Sequence, residues 1–173
     1  MILKEFDIQL RSITKDDIEL IRFWRNSDRV KRHMLTQEYI TPEQQSKWFE
    51  SLKSKNDEYF IIHLSNKPIG LIWFNEKGEH RETGFYIYEI DEQNSLTPYK
   101  IVSLFHKYLF ENKKFSTLRC IILHENKRAI RFNSSLGYKL IKEAKEYNTF
   151  TLSYEDYKKN DARITKLLHK ENS

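Results

Sequence analysis

The sequence predicts an α/β fold of the α+β kind, with a central mixed, mostly antiparallel sheet and helices on both of its faces. Three observations predict it. Apolar residues recur at a period of two in short segments, as strands with one buried face require. Between these run segments with apolar residues at helical spacing, two of them opened by a Thr-Pro pair. Along the chain this gives the order β-α-α-β-β-β-α-β-α-β, which packs most simply as a sheet covered by helices.

Phe6-Asp7-Ile8-Gln9-Leu10-Arg11 alternates apolar and polar residues and predicts the first strand. Thr14 caps the first helix, with acids in its first turn and Ile18, Ile21, Phe23 and Trp24 as its apolar residues. Arg25-Asn26-Ser27-Asp28 ends it, and a short helical stretch follows over Val30 to Met34. Thr41 caps the next helix, Pro42 occupies its first turn, Gln44 stands three residues after the cap, and Trp48, Phe49 and Leu52 form the apolar face. Tyr59 to Leu64 and Pro68 to Phe74 are strands joined by a turn at Ser65-Asn66-Lys67. After a turn at Glu76-Lys77-Gly78, a fourth strand runs roughly from Glu82 to Tyr88.

Thr97-Pro98 repeats the cap-plus-Pro signal, and Ile101, Leu104, Phe105, Tyr108 and Leu109 follow at helical spacing. Leu118 to Leu123 is an apolar run of strand length. Asn126 to Leu136 is a second amphipathic helix, stopped by Gly137 in the position just past a helix end. Tyr147 to Tyr154 is the final strand. From about residue 156 the chain is a polar tail, partly helical.

One domain is expected over the 173 residues, and 39% hydrophobic with 32% charged residues fits a globular protein. The start has no apolar run long enough for a signal peptide, and the longest apolar stretches, such as Ile69 to Phe74, are too short to span a bilayer. The single cysteine, Cys120, excludes an internal disulfide and fits a reducing compartment, so a cytoplasmic location without a membrane partner is expected. Cys120 sits centrally in an apolar run and reads as a core residue. The net charge of +5 is compatible with an anionic ligand such as a nucleotide or CoA. Lys and Arg are spread along the chain, which argues against nucleic acid. His33, His63, His106 and His169 lack metal-ligand spacing, so no metal is expected.

Several local words then point to a family. They are Trp24-Arg25-Asn26, Ile40-Thr41-Pro42-Glu43, Trp48-Phe49, the helix Asn126-Lys127-Arg128-Ala129-Ile130-Arg131-Phe132, and Leu136-Gly137-Tyr138. In this order they resemble GNAT acyltransferases, and within them the UDP-4-amino-sugar N-acetyltransferases of pseudaminic acid biosynthesis. The resemblance runs from about Leu10 to Leu168. It implies the GNAT fold, acetyl-CoA as acyl donor, and a primary amine as acceptor, the 4-amino group of a nucleotide-linked amino-deoxy sugar.

In that fold the fourth strand and the strand after the long helix part, and the pantetheine arm of CoA pairs with the exposed main chain. The resemblance therefore assigns Tyr86, Ile87 and Tyr88 to main-chain contacts with the cofactor. Leu96, Thr97, Tyr99 and Lys100 would meet the pyrophosphate at a helix N-terminus, where N–H groups and the helix dipole favour an anion. Asn126, Ala129 and Phe132 would line the other side.

Two departures stand out. The family's phosphate loop carries glycines, whereas Asp91-Glu92-Gln93-Asn94-Ser95-Leu96-Thr97-Pro98 has none, and Pro98 removes an N–H donor. Where the family has a tyrosine that protonates the leaving thiolate, this chain has Asn133, which can donate a hydrogen bond but not act as a general acid. Tyr138, just past that helix, reads as a packing aromatic.

The attacking amine must be neutral, so a base is needed. Glu82 and His124 flank the expected cleft and are the candidates, with His80 behind them. Arg25 and Asn26 would contact an anionic acceptor through Arg25's planar fork, and Trp73 and Asn75 alternate with Phe74 so as to face the acceptor together. Two other functions compete: a protein N-terminal acetyltransferase like those of ribosomal proteins, and a catalytically weak GNAT-fold binding protein. The sequence leaves a homodimer open.

Overall fold

The computed structural model describes residues 1–89, 91 and 95–170. Their strands are β1 (Ile2–Glu5), β2 (Ile8–Ser12), β3 (Glu58–Leu64), β4 (Lys67–Lys77), β5 (His80–Ile87), β6 (Thr117–Leu123), β7 (Lys139–Glu143) and β8 (Tyr147–Ser153). The helices are α1 (Ile18–Asn26), α2 (Asp28–Lys31), α3 (Pro42–Ser51), α4 (Thr97–Lys107), α5 (Lys127–Ser135) and α6 (Tyr154–Lys170).

The helix starts form where their caps dictate. Thr41 Oγ1 accepts from Gln44 N–H at 3.2 Å and Gln44 Oε1 accepts from Thr41 N–H at 2.8 Å, a reciprocal capping box with Pro42 in the first turn. Ahead of α1, the Asp17 carboxylate accepts from Thr14 N–H at 2.7 Å and from both terminal nitrogens of Arg11 at 3.0 and 2.7 Å. Burial works against the charge on Asp17, but these donors outweigh it and hold the carboxyl below its ordinary range.

Three elements go beyond what the sequence shows. β1 was not foreseen, because its four residues form a sheet edge with no clear alternation. β7 was missed because every one of its residues is exposed, so no buried face marks it. The polar tail is a 17-residue helix, α6, and Tyr157, Ile164 and Leu168 line up on one of its sides and are buried.

The strands join in one eight-stranded sheet in the order β1-β2-β3-β4-β5-β6-β8-β7. Every neighbouring pair is antiparallel except β5 and β6, which run parallel and register at a single pair, Glu82 with Arg119. One face buries Leu10, Phe60, Ile72 and Phe74 against Ile101, Phe105 and Leu109 of the α4 segment and against α6. The other buries Ile61, Leu71 and Tyr86 under Ile21, Trp24 and Val30 of α1 and α2, with Trp48 of α3 alongside. Helices thus cover both faces. No described helix is long and apolar enough to cross a membrane.

Candidate active site

The site begins where β5 and β6 part. Past Glu82 and Arg119 no further pair of these strands is in register, while β6 stays fully paired to β8. Strand alternation decides which main-chain groups face the opening. Tyr88 N–H donates to the Ile69 carbonyl at 2.7 Å, and Tyr86 stands opposite Leu71 in the same alternation. The Tyr86 carbonyl lies so close to Gly70 that a Cβ there would meet it at 2.1 Å. Tyr86 and Tyr88 are therefore engaged with β4, and the Tyr88 carbonyl also accepts from Arg29 at 3.0 Å. The groups turned toward the opening are those of Phe85 and Ile87. Of the residues that the sequence singles out here, Tyr86 and Tyr88 thus turn their main-chain groups to β4 and Ile87 turns its own to the opening, with Phe85, not singled out, beside it.

The opening widens into a cleft of about 800 Å³. From α5 it is lined by Ala129, Phe132 and Asn133, with Asn126 just ahead, and from α4 by Pro98, Val102 and His106. Asn126 Oδ1 accepts from Ala129 N–H at 3.1 Å, so this residue caps α5 as well as lining the cleft. The Phe132 ring is wedged between Phe85 and Tyr99 at centroid distances of 5.7 and 4.9 Å.

Leu96, Thr97, Tyr99 and Lys100 do not line the cleft. Thr97 N–H donates to Ser95 Oγ at 3.1 Å, Pro98 has no N–H, and Tyr99 and Lys100 N–H donate to the Leu96 carbonyl at 3.0 and 3.1 Å. The Tyr99 hydroxyl meets Ser135 Oγ at 3.0 Å and Lys100 pairs with Asp7 at 3.3 Å. The N–H groups of Thr97, Tyr99 and Lys100 in the described first turn of α4 thus donate within the turn and its flank. Glu92, Gln93 and Asn94 of the glycine-free loop lie outside the described residues. Cationic side chains instead flank the cleft at Arg29 and Arg32 on one side and at Lys127 and Arg128 on the other.

A second pocket of about 400 Å³ adjoins the cleft, and Arg25, Met34, Thr36, Trp73 and Tyr86 line both. Its wall is aromatic. Trp48 meets Tyr59 edge-on at 4.9 Å, Tyr59 stacks on Trp73 at 6.1 Å, and Trp73 leans on Tyr86 at 6.1 Å. Arg25 Nη1, Gln45 Nε2 and the Tyr86 hydroxyl are all buried and have no hydrogen-bond partner. Burial pushes the Arg25 guanidinium below its ordinary range and the Tyr86 phenol well above its own. Three unpartnered donors around one pocket call for an acceptor-rich group. Gln45 escaped the sequence reading, although its place three residues before Trp48 on α3 puts the two on one side of that helix.

The remaining candidates divide. Glu82 lines the cleft opposite Asn75 in the β4–β5 register, and Asn75 Nδ2 donates to the Tyr59 hydroxyl at 2.8 Å. Burial, with the Glu82 carboxylate near, pushes the Cys120 thiol well above its ordinary range, as suits an inert core cysteine. Asn133 Nδ2 donates to the Ala129 carbonyl at 2.9 Å and Asn133 Oδ1 accepts from the Cys120 thiol at 3.7 Å. His124 does not line the cleft. Its N–H donates to the Glu146 carbonyl at 3.0 Å, and its Nε2 is buried without a hydrogen-bond partner. Asn26 exchanges two hydrogen bonds with the Ile40 peptide at 2.9 and 2.8 Å and lines neither pocket, so it is a structural clamp. Among the described residues no group of three or more His, Cys, Asp or Glu is placed to hold a metal.

Comparison with known proteins agrees with this fold. Residues 7–139 match the family profile described as acetyltransferase (GNAT) domain. The chain is 27% identical over 157 residues to the acetyltransferase PseH of Campylobacter jejuni subsp. jejuni serotype O:23/36 (strain 81-176), covering 87% of this chain and 97% of that protein. Among solved structures, a domain from Methanocaldococcus jannaschii superposes with a TM-score of 0.76 at 26% identity, covering 84% of this chain and 97% of that one. Apo FdhC, a nucleotide-linked sugar GNAT, superposes with a TM-score of 0.79 at 20% identity, covering 95% and 97%.

Proposed function

Because the chain belongs to the GNAT acetyltransferase family and is an acyltransferase with acetyl-CoA as its donor, we propose that it acetylates the 4-amino group of a nucleotide-linked amino-deoxy sugar. The observation that carries this reading is the aromatic pocket with its three buried, unpartnered donors, Arg25, Gln45 and Tyr86, opening into the donor cleft. Flat rings suit a sugar or base face, and a guanidinium fork suits phosphate oxygens. PseH and FdhC, the second a nucleotide-linked sugar enzyme, support the same acceptor class.

On this reading the donor's pantetheine lies along the Phe85 and Ile87 main chain, between β5 and α5. Its acyl end comes to the Glu82 end of the gap, where the two strands meet. Glu82, directly or through a water, takes the proton that the amine must lose. Holding amine and thioester together supplies much of the acceleration. The same reading takes the chain as a cytoplasmic enzyme acting on small molecules.

A peptide acceptor is disfavoured by charge. Arg25, Arg29, Arg32, Lys127 and Arg128 line the cleft against two carboxylates, Glu82 and Glu125, a balance that suits an anionic nucleotide better than a cationic amino terminus. The test is thermal shift and thiol release with acetyl-CoA against UDP- and dTDP-linked 4-amino sugars, polyamines and peptides. A rise in melting temperature with acetyl-CoA and turnover on a nucleotide sugar are expected. Turnover on peptides alone would replace the acceptor assignment.

A further inference from the structure

Asn75 and Glu82 stand directly opposite each other on β4 and β5, so their side chains rise on one face of the sheet with Cβ atoms about 5 Å apart. Both line the donor cleft, and no step above uses Asn75. The Asn75 side chain is buried, and its amide is held from one side. Asn75 Nδ2 donates to the Tyr59 hydroxyl at 2.8 Å, and Tyr59 belongs to β3, which flanks β4 on the side away from Glu82. The two arms of a planar amide diverge, so an Nδ2 turned to β3 leaves Oδ1 turned to β5. Stacking on Trp73 at 6.1 Å and the edge of Trp48 at 4.9 Å keep the Tyr59 ring in place. Among the described residues no group donates to Asn75 Oδ1 or to the Glu82 carboxylate. Two acceptors thus stand side by side at the end of the cleft where β5 and β6 meet.

We propose that Asn75 Oδ1 and the Glu82 carboxylate together seat the attacking amine, and that Tyr59 is a positioning residue that keeps the Asn75 oxygen turned to it. The proposal rests on the acetyl-transfer reading above. A neutral primary amine carries two N–H bonds and one lone pair. With one N–H given to Glu82 and the other to Asn75, the lone pair is left to face the thioester. As the nitrogen–carbon bond forms, the carbon–sulfur bond breaks and its electron pair stays on sulfur. The N–H on the Glu82 side gives its proton to that carboxylate, and the one N–H of the product amide stays on Asn75. A hydroxyl has a single O–H and leaves one of the two acceptors unfilled. The seat therefore selects the amine on a sugar that also carries hydroxyl groups.

The probes are dTDP-4-amino-4,6-dideoxyglucose and dTDP-6-deoxyglucose, which differ only in the amine or hydroxyl at one carbon. Their affinities are measured by calorimetry with CoA present, in the wild-type chain and in variants. Wild type is expected to prefer the amine. Asn75→Leu should weaken binding of the amino sugar roughly tenfold and of the hydroxyl sugar less than about threefold. Asn75→Asp keeps an oxygen turned to β5 and is expected to bring the preference back, a rescue that loss of the Tyr59 bond alone would not show. Tyr59→Phe releases the amide and should lose part of the same preference. Equal binding of the two sugars by wild type, or an unchanged preference in Asn75→Leu, overturns this proposal alone. Full preference in Tyr59→Phe overturns the positioning role. Failure of the wild-type chain to bind either sugar overturns the acceptor reading and this proposal with it. If Asn75→Leu does not fold, the Asn75 Cγ resonance of labelled wild-type protein is compared with each sugar bound. A shift that needs the amine supports the proposal, and identical spectra overturn it.

Discussion

The Trp73 indole lies across Gly84, so close that a Cβ at residue 84 would stand 2.4 Å from Trp73 Cζ2. The two residues are partners in the β4–β5 register, and the indole forms part of both pockets. Gly84→Ala is therefore expected to push the ring aside. Overpacking of this kind costs about 1–3 kcal/mol, readable in urea unfolding. Steady-state kinetics should show the acceptor KM rising roughly tenfold with a smaller change for acetyl-CoA, since 1.4 kcal/mol corresponds to about a factor of ten.

Arg25 makes opposite predictions for stability and function. Its buried Nη1 has no partner, so Arg25→Met should leave the unliganded protein as stable as wild type or more so. The same change should raise the KM for a nucleotide-linked acceptor by about 10–100-fold, as loss of a hydrogen bond to a charged group implies, and leave the acetyl-CoA dissociation constant unchanged. Arg25→Lys should recover only part of the loss, because one ammonium cannot replace a fork.

His106 sets an acid limit on stability. Burial pushes its pKa down from the ordinary 6.5 to about 3, so the unfolded chain takes a proton first as pH falls. Its contribution is intact above pH 6.5 and is lost progressively down to about 3. At pH 5 the loss amounts to about 2 kcal/mol. Denaturant titrations at several pH values should show this slope in the wild-type chain and a flatter one in His106→Gln.

Asn126→Ala removes the side chain that accepts from Ala129 N–H at the start of α5. Unfolding should register about 1 kcal/mol of lost stability, and Asn126→Ser should restore most of it. Circular dichroism melts of the three proteins test the order.

Much of the frame was legible because its signals are local. The Thr41, Pro42 and Gln44 start of α3 can be read from four residues, and the stop of α5 from Gly137, whose φ of +97° few other residues tolerate. β7 was illegible because an exposed edge strand carries no buried alternation. The apolar spacing of Tyr157, Ile164 and Leu168 was present but diluted by charge. Arg25, Trp73 and Glu82, singled out from the sequence, all line the cleft. That Asn26 serves Ile40, or that Tyr138 meets His106 across 31 intervening residues, depends on how the chain closes on itself. Phe85 was missed for a subtler reason: strand alternation shows which residues share a face, but only the register shows which main-chain groups point sideways.

The single registered pair between β5 and β6 also bears on how the molecule transmits force. Across that seam the backbone ladder is nearly absent, so the two halves of the sheet are not held rigid by hydrogen bonds between them. Continuity passes also through the helical layer, where α4 rests on β1 and β2 and also against α6, which is braced on β8. The carboxy-terminal helix is thus a tie beam spanning the slot. Cutting it away would remove that brace and leave α4 and the β5–β6 contact near Glu82 and Arg119 to keep the slot at a fixed width.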